Sequence, residues 1–449
     1  MRDQKHLMTV ETVRKLLRRH GDAHIQNIYT KLHPADIAHL LTEFPLSEQQ
    51  RLFDLIEDHR QAAEILVESE AQASMEIVSH LDVKRLAQVV QAMEHDDATD
   101  FISHLPKERA EEVLQAMSRA DSAEVEQLLL YAPDTAGGIM TTKFLALFED
   151  LTCEEAIAQV RRASEVEMVF YTYVVDDKSH LLGVISLREL LLASPETRLK
   201  QIMNPQVVSI QATADQEDVA ILVKRYNLLA MPVVDNENKL LGMVTVDDVI
   251  DVIYEEAAED FLRMAGSPGE DIATGSIVTM VRKRAPWLLV SCVGGLVALQ
   301  IINYFQSSLN KLVALAAFIP IVMGMGGNVG GQSASLVIAG LAGGRIDKKA
   351  LGMVIFREVR VGFIMGLVYG TIVGIVADFQ YAAIPTLGLT VGLSIALVMT
   401  IAATIAAVIP LVLNHFNIDP AFATSPFIQI SMDILGIAIY FNLANLLIF

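Results

Sequence analysis

The strongest constraint on this chain is its last apolar stretch, residues 426–449, which holds a single charged residue, Asp433. A helix needs about 20 residues at ~1.5 Å each to cross the ~30 Å hydrocarbon core of a bilayer, so this stretch predicts a membrane span. An ionised aspartate near the middle of such a span costs roughly 2.5–3.5 kcal/mol on insertion scales. We therefore expect a partner from outside the span, which is a cation, a proton or a donor on a neighbouring helix.

The C-terminal part of the chain contains five such stretches. The predicted spans are residues 286–305, 312–342, 354–377, 387–413 and 426–449. Basic residues cluster before the first span and between the second and third, whereas only Lys311 lies between the first and second. By the positive-inside rule, the N-terminus is predicted to be cytoplasmic and the C-terminus external, in a cell (inner) membrane. The charged N-terminus has no apolar core of a signal peptide, which agrees with this orientation.

The formal charge of −20 is distributed unevenly. Residues 286–449 carry +1, so residues 1–285 carry −21. Such an acidic surface argues against a nucleic acid partner, because phosphates are bound by Lys and Arg. The two cysteines, Cys153 and Cys292, give neither a disulfide framework nor a CxxC metal site. We find no nucleophile–base arrangement, P-loop or metal-hydrolase motif, and therefore do not expect an enzyme.

Residues 1–135 predict a helical domain. Apolar residues recur at spacings of three and four, as in Ile37, Leu40 and Leu41, and the units LHPADIAHLL and LPKERAEEVLQAM resemble each other. This pattern indicates stacked helical hairpins. Asp96 and Asp100 lie four apart on one face of a predicted helix, where like charges repel unless a cation lies between them. The alternative is a solvated acidic face.

Residues 136–200 and 201–255 are two copies of one unit. YVVDDKSHLLGVISLRELL matches PVVDNENKLLGMVTVDDVI, and Gly183 and Gly242 are 59 residues apart. Each copy predicts strand, helix, strand, turn, strand and helix. The repeat resembles a tandem pair of CBS domains, a module that pairs with itself and often binds adenine nucleotides. The alternative is a purely structural dimerisation module. The resemblance implies nucleotide contacts at three residues, which are Ser186, Arg188 and Glu189.

A stripe of carboxylates follows the second copy. Asp248, Asp251, Glu255 and Glu259 have helical spacing, so they predict one negative face on a helix that continues into the connecting segment 256–285. These charges would repel each other and any facing acidic surface. Divalent cations bridge such surfaces through oxygen ligands, so the stripe is a candidate two-state element that a cation biases.

The second predicted span carries the motif PIVMGMGGNVGGQSAS. Its small residues let helices approach closely or let the helix expose carbonyl groups, and Asn328 and Gln332 are predicted to face a polar path. No Lys or Arg lies deep enough to pair with Asp433, and a proton relay needs several titratable groups in series. A cation held by Asp433 from two subunits therefore fits best and implies a homodimer. The absence of Cys and His at this depth favours Mg²⁺ over softer metals.

The order of these segments, with PIVMGMGGNVGGQSAS and IDPAFATSPFIQISMDILGIAIYF, resembles the MgtE family of magnesium channels over essentially the whole chain. The resemblance implies that Asp433 lines the ion path and that Asp419 lies at its cytoplasmic mouth. It also implies regulatory Mg²⁺ ligands, which are Glu64, Asp96, Asp100, Asp215, Glu217, Asp248, Asp251, Glu256, Glu259 and Asp260. One position departs from the family, because Asn227 stands where an acid is expected.

The sequence as a whole predicts a multi-domain membrane homodimer. Its parts are an all-α helical-hairpin domain (1–135), an α/β tandem CBS pair (136–200 and 201–255), a connecting helix (256–285) and a five-helix transmembrane domain (286–449). The expected function is Mg²⁺-selective uptake through a channel closed by cytosolic Mg²⁺, with ATP as a further ligand of the CBS pair. Two alternatives stay open, namely a proton-coupled divalent cation exchanger and a membrane-anchored nucleotide sensor.

Overall fold

The computed structural model describes residues 2–163, 170–264, 277–342, 346, 351–416 and 425–449. The chain divides into two compact units, Met1–Ile253 and Tyr254–Phe449. The boundary falls inside a helix that follows the last strand of the first unit.

Ten short helices form the first part of the first unit. They are α1 (Arg2–Arg18), α2 (Asp22–Tyr29), α3 (Pro34–Thr42), α4 (Leu46–Asp54), α5 (His59–Val67), α6 (Ala71–Val78), α7 (Val83–Gln91), α8 (His95–Ser103), α9 (Lys107–Ala116) and α10 (Arg119–Leu128). The predicted periodicity is confirmed on α3, where Ile37, Leu40 and Leu41 are buried. Pro34 occupies the first turn of α3, where its missing N–H has no helical partner to lose. Helices α3, α5, α7 and α9 pack one on the next, as expected for stacked hairpins.

The duplicated segment folds as two small α/β modules with the same element order, as predicted. The first holds β1 (Ala146–Phe148), α11 (Cys153–Arg162), β2 (Tyr171–Val175), β3 (Leu181–Ser186) and α12 (Leu187–Leu192), and the short α13 (Leu199–Ile202) follows it. The second holds β4 (Ile210–Gln211), α14 (Gln216–Tyr226), β5 (Ala230–Val234), β6 (Leu240–Thr245) and α15 (Val246–Met264). In each three-stranded sheet the first strand is parallel to the second, and the second is antiparallel to the third.

The two modules are joined through the tips of their hairpins. The backbone N–H of Leu181 donates to the carbonyl of Asn238 at 2.9 Å, and that of Leu240 donates to Ser179 at 2.9 Å. Ser179 and Asn238 have positive φ angles of 67° and 66°, as tight hairpin turns require. These equivalent bonds make the pair pseudo-symmetric.

The second unit is built from long apolar helices. They are α16 (Ile277–Tyr304), the short α17 (Gln306–Lys311), α18 (Ala314–Ala342), α19 (Leu351–Gln380), α20 (Leu387–His415) and α21 (Ser425–Leu447). Among the described residues, five helices are long and apolar enough to cross a membrane. This agrees with the five predicted spans. The helix of the first predicted span, α16, begins at Ile277 rather than near Pro286, and Pro286 lies inside it.

Glycines on α19 let it pack closely against α20. Gly362, Gly366, Gly370 and Gly374 recur every four residues and are buried. A Cβ added at Gly374 would lie 2.7 Å from the carbonyl oxygen of Gly388, so the two backbones touch. In a bilayer, where apolar surface gains little by leaving lipid, such close packing is what holds helices together.

Candidate cation path and carboxylate cluster

Asp433 lies on α21 of the membrane unit and is partly exposed. Its Oδ1 accepts a hydrogen bond from Nε2 of Gln429, one helical turn earlier, at 3.2 Å. Within the described ranges no Lys, Arg or His forms an ion pair with Asp433. The carboxylate therefore has a neutral hydrogen-bond donor as its neighbour.

A polar face of α18 begins beside this pair. Asn328 and Gln332 are both exposed, and their spacing of four places them on one side of the helix. Gly327, which precedes Asn328, lies against the side chain of Gln429, because a Cβ there would be 2.8 Å from its Nε2. We call Asn328, Gln332, Gln429 and Asp433 the polar strip. Its role as the lining of a path stays a prediction.

Two other acids on the membrane helices have structural partners. Glu358 is buried between α19 and α18, where it accepts a hydrogen bond from the hydroxyl of Ser333 at 3.0 Å. Asp378 accepts a hydrogen bond from the backbone N–H of Gly388 at 2.9 Å, at the start of α20. Asp433 differs from both, because its one hydrogen-bond donor comes from its own helix.

The first unit brings five acids together where the start of α8 meets the start of α15. We call Glu94, Asp96, Asp97, Asp247 and Asp248 the carboxylate cluster. Burial and the charge of Asp248 hold the pKa of Asp96 well above its ordinary value. Burial, then the neighbouring carboxylates, raises the pKa of Asp97 to about 7, and burial raises that of Asp248 to about 6.

The cluster is an acidic environment whose carboxylates favour binding of a cation or a proton. Oδ1 of Asp96 is buried and has no hydrogen-bond partner among the residues that the structure describes. The nearby ammonium group of Lys143 donates to the backbone carbonyl of Met93 at 2.9 Å. Uncompensated buried carboxylates cost several kcal/mol unless a cation or a proton neutralises them.

The acids of the cluster suit Mg²⁺, which keeps several waters, better than they suit a metal ion whose ligands all come from the protein. Across the described ranges no group of three or more His, Cys, Asp or Glu side chains is arranged to hold a metal ion. Mg²⁺ keeps several of its waters and takes only one or two carboxylates, so a looser pair such as Asp96 and Asp248 suffices.

The remaining predicted ligands of the helical domain lie elsewhere. Glu64, on α5, forms an ion pair with Arg60 on the same helix at 3.4 Å. Asp100 shares α8 with Asp96, but its side chain is 67% exposed and lies 3.7 Å from His104. The charge of Asp100 nevertheless contributes to the raised pKa of Asp97, so Asp100 lies at the edge of the carboxylate cluster, and joint cation binding by Asp96 and Asp100 stays a prediction.

The predicted ligands of the CBS pair and the connecting segment are also dispersed. Asp215 caps α14, since its Oδ1 accepts a hydrogen bond from the backbone N–H of Glu217 at 2.8 Å. Asp251 is exposed on α15, and Glu259 forms an ion pair with Arg263 on that helix. Glu256 and Asp260 also belong to α15. Asp419 lies outside the described residues, as do residues 265–276 of the segment predicted to connect to the membrane helices.

The proposed nucleotide motif has a local structural role. Ser186 and Glu189 form a capping box on α12, in which Oε2 of Glu189 accepts from the N–H and the hydroxyl of Ser186 at 3.0 and 2.8 Å. These bonds hold the pKa of Glu189 below its ordinary value. Thr245 and Asp248 form the same contacts in the second copy. The spacing S-x-x-E already carries this signal.

A cavity of about 640 Å³ lies beside the first cap. Its lining residues are Phe170, Tyr171, Ser186, Leu187, Arg188, Leu191, Leu192 and Leu229. The cavity thus contains two of the three residues predicted to contact a nucleotide, while Glu189 does not line it.

Sequence reasoning missed Gln429 and Asp97 as site residues. A glutamine four positions before the aspartate in an apolar helix is a detectable signal, because residues at that spacing are neighbours on one face. Asp97 belongs to a run of acidic residues, and the sequence does not show which of them are buried together. Only the proximity of Asp97 to Asp248 at the start of α15 distinguishes it.

Comparison with family models matches three parts of the chain. Residues 319–443 match the family described as MgtE, divalent cation transporter. Residues 32–134 match the MgtE intracellular N domain. Residues 136–196 and 199–255 match the CBS domain.

Similar proteins agree with these matches. A magnesium transporter MgtE of Thermus thermophilus is 37% identical over 331 residues, which cover 73% of each chain. A magnesium transporter MgtE of Bacillus subtilis is 37% identical over 328 residues, which cover 72% of each chain.

Two solved structures resemble the chain at a TM-score of 0.52. One is the soluble part of a magnesium transporter, 30% identical, with 56% of this chain and 99% of that chain covered. The other is the cytosolic domain of the Mg²⁺ channel MgtE in complex with ATP, 35% identical, with 54% and 99% covered. Both support the helical and CBS folds described above.

Proposed function

Because the chain belongs to the MgtE family of divalent cation transporters, we propose that it carries Mg²⁺ across the membrane through a path that contains Asp433. The observation that carries this proposal is the carboxylate of Asp433 itself. It lies within a membrane span and has the neutral Gln429 as its hydrogen-bond donor. The family is one of transporters rather than enzymes, in agreement with the sequence.

The chemistry of the polar strip suits a hydrated Mg²⁺ ion as cargo. Asp433 supplies the charge that offsets the cost of bringing a divalent cation into the low-dielectric span. Asn328 and Gln332 supply amide oxygens that accept hydrogen bonds from the water shell that Mg²⁺ retains. With the N-terminus cytoplasmic and the C-terminus external, inward movement gains roughly 2.3 kcal/mol per charge per 100 mV of membrane potential.

The exposure of the polar strip supports a homodimer. Gln429 and Asn328 are exposed on the surface of a single chain, within helices that are otherwise apolar. Polar groups that face lipid are costly, and they belong in a protein interior or a watery cavity. A second copy placed over the strip would enclose the path and bring a second Asp433 to it.

The carboxylate cluster supports regulation by cytosolic Mg²⁺. Asp96, Asp97 and Asp248 repel one another when ionised, and a divalent cation would supply the positive charge that holds α8 beside α15. At low Mg²⁺ the same carboxylates would push these elements apart. We propose that this equilibrium biases the path toward closed at high Mg²⁺ and open at low Mg²⁺. Further regulatory ligands proposed from the family are Glu64, Asp100, Asp215, Glu217, Asp251, Glu256, Glu259 and Asp260, with Asp419 at the cytoplasmic mouth.

The CBS pair is a proposed binding site for adenine nucleotide. The support is the relative whose cytosolic domain was solved with ATP, together with the cavity lined by Ser186 and Arg188. Arg188 would bind phosphate oxygens there, and the aromatic side chains of Phe170 and Tyr171 offer surfaces for a base.

The test is Mg²⁺ uptake into proteoliposomes loaded with a Mg²⁺ dye and given an inside-negative potential. Wild-type protein should show uptake that needs no pH gradient, and Asp433→Asn should lower it at least tenfold while the protein remains folded. Asn442→Ala is the matched control, because Asn442 is exposed on the same helix and donates only to the carbonyl of Ala438.

Undiminished uptake through Asp433→Asn would overturn the assignment of the path. Uptake that follows the proton gradient would favour the exchanger. No uptake by folded wild-type protein would favour the nucleotide sensor.

A further inference from the structure

The side-chain amide of Gln429 has two neighbours, Asp433 on its own helix and Gly327 on α18. Its amide Nε2 donates to Oδ1 of Asp433 at 3.2 Å. On its other side the same amide lies on the backbone of α18 at Gly327, where an added Cβ would be 2.8 Å from Nε2, 2.9 Å from Cδ and closer still to Oε1. Gly327 therefore provides the space that Gln429 occupies.

This contact is specific to one glycine of α18. A Cβ at Gly324 would meet nothing within 4 Å. A Cβ at Gly330 would meet Ile428 of α21 at 2.7 Å, which is also a clash but does not involve Gln429. Gly327 is thus distinguished by which side chain of α21 it accommodates.

The hydrogen bond leaves the two oxygens of Asp433 unequal. Oδ1 accepts from the amide, whereas no donor to Oδ2 is found in the part of the chain that the structure describes. A carboxylate with one oxygen engaged in this way binds a cation through a single oxygen more readily than through both.

We infer that Gln429, seated against Gly327, is a positioning residue that makes Asp433 a one-oxygen ligand and so favours Mg²⁺ over Ca²⁺. The inference rests on the proposed function and deepens it. Ca²⁺ takes six to eight oxygens and often binds both oxygens of a carboxylate. Mg²⁺ requires octahedral geometry, keeps most of its waters and needs only one carboxylate oxygen. Removal of the amide frees Oδ1 and lowers this discrimination.

The experiment compares Mg²⁺ and Ca²⁺ uptake by the full chain in proteoliposomes. Gln429→Met keeps the length of the side chain and removes the amide. Because a hydrogen bond to a charged group is at stake, the ratio of Mg²⁺ to Ca²⁺ uptake should fall about tenfold or more. Gly327→Ala, which displaces the amide, should lower the ratio in the same direction, and the double variant should be no worse than Gln429→Met alone.

Gly330→Ala is the matched control, since it crowds the same two helices without touching Gln429. It should lower total uptake at most and leave the ion ratio unchanged. An unchanged ratio in Gln429→Met, or an equal loss in Gly330→Ala, would overturn the inference while the proposed function stands. Wild-type protein that passes no Mg²⁺ would instead overturn the proposed function, and the inference with it.

Discussion

Replacing Asp97 by Asn should stabilise the contact between α8 and α15 at neutral and basic pH. Burial and neighbouring carboxylates raise the pKa of Asp97 from 3.8 to about 7 in the folded protein. Since the folded-state pKa is raised, the folded state holds the proton more tightly than the unfolded state. This stability is fully present below about pH 4 and is lost as the pH rises through about 7.

The size of the effect follows from the shift. Each pKa unit corresponds to about 1.4 kcal/mol, so ionising Asp97 costs the folded state up to about 4 kcal/mol by pH 8. Asn cannot ionise, so the variant should escape this loss at pH 8 and gain little at pH 4. Mg²⁺ that binds the folded cluster should stabilise the wild type and bring the two proteins closer together.

The assay is hydrogen exchange of the α8 backbone amides in the full chain, expressed as protection factors between pH 4 and 8 with and without Mg²⁺. Wild-type protection should fall as the pH rises and recover with Mg²⁺, whereas Asp97→Asn should stay protected. Glu111→Gln is the control, since Glu111 is exposed on α9 and its charge is not among those that raise the pKa of Asp97. Protection that falls equally in Asp97→Asn and in the wild type would refute the electrostatic reasoning.

Two further substitutions test the contact between α19 and α20 and the left-handed backbone at residue 227. Gly374→Ala should destabilise the membrane unit by about 1–3 kcal/mol, because its Cβ would lie 2.7 Å from a backbone carbonyl of α20 that cannot easily move. Gly352→Ala on the same helix meets nothing within 4 Å and should be neutral, as measured by thermal unfolding in detergent. Asn227→Val should cost about 1–2 kcal/mol relative to Asn227→Gly, because residue 227 ends α14 with a left-handed φ of 52°. Equal melting temperatures for either pair of variants would count against these explanations.

The structure shows how Asn227 fits its backbone position. An acid was expected there from the family resemblance. Asn is one of the few residues other than Gly that tolerates a left-handed backbone, so it suits the end of α14. The effect of this position on regulation stays a prediction.

The sequence by itself determined the elements of this protein. Five spans, the helical array and the two copies 59 residues apart are local patterns of apolar spacing and repetition, and each pattern is complete within its own segment. Asp433 was found in the same way, because a lone charge in an apolar span is costly wherever the neighbouring helices lie.

Tertiary structure alone decided which of the many acids meet. Local sequence patterns do not rank Asp97 above Asp100, because the difference is created by acids of α15, more than a hundred residues further along the chain. They also give no sign that Gly327 accommodates Gln429 on another helix. The burial of side chains, the repulsion between carboxylates and the packing of Gln429 against Gly327 depend on contacts between distant segments. Local periodicity does not encode those contacts.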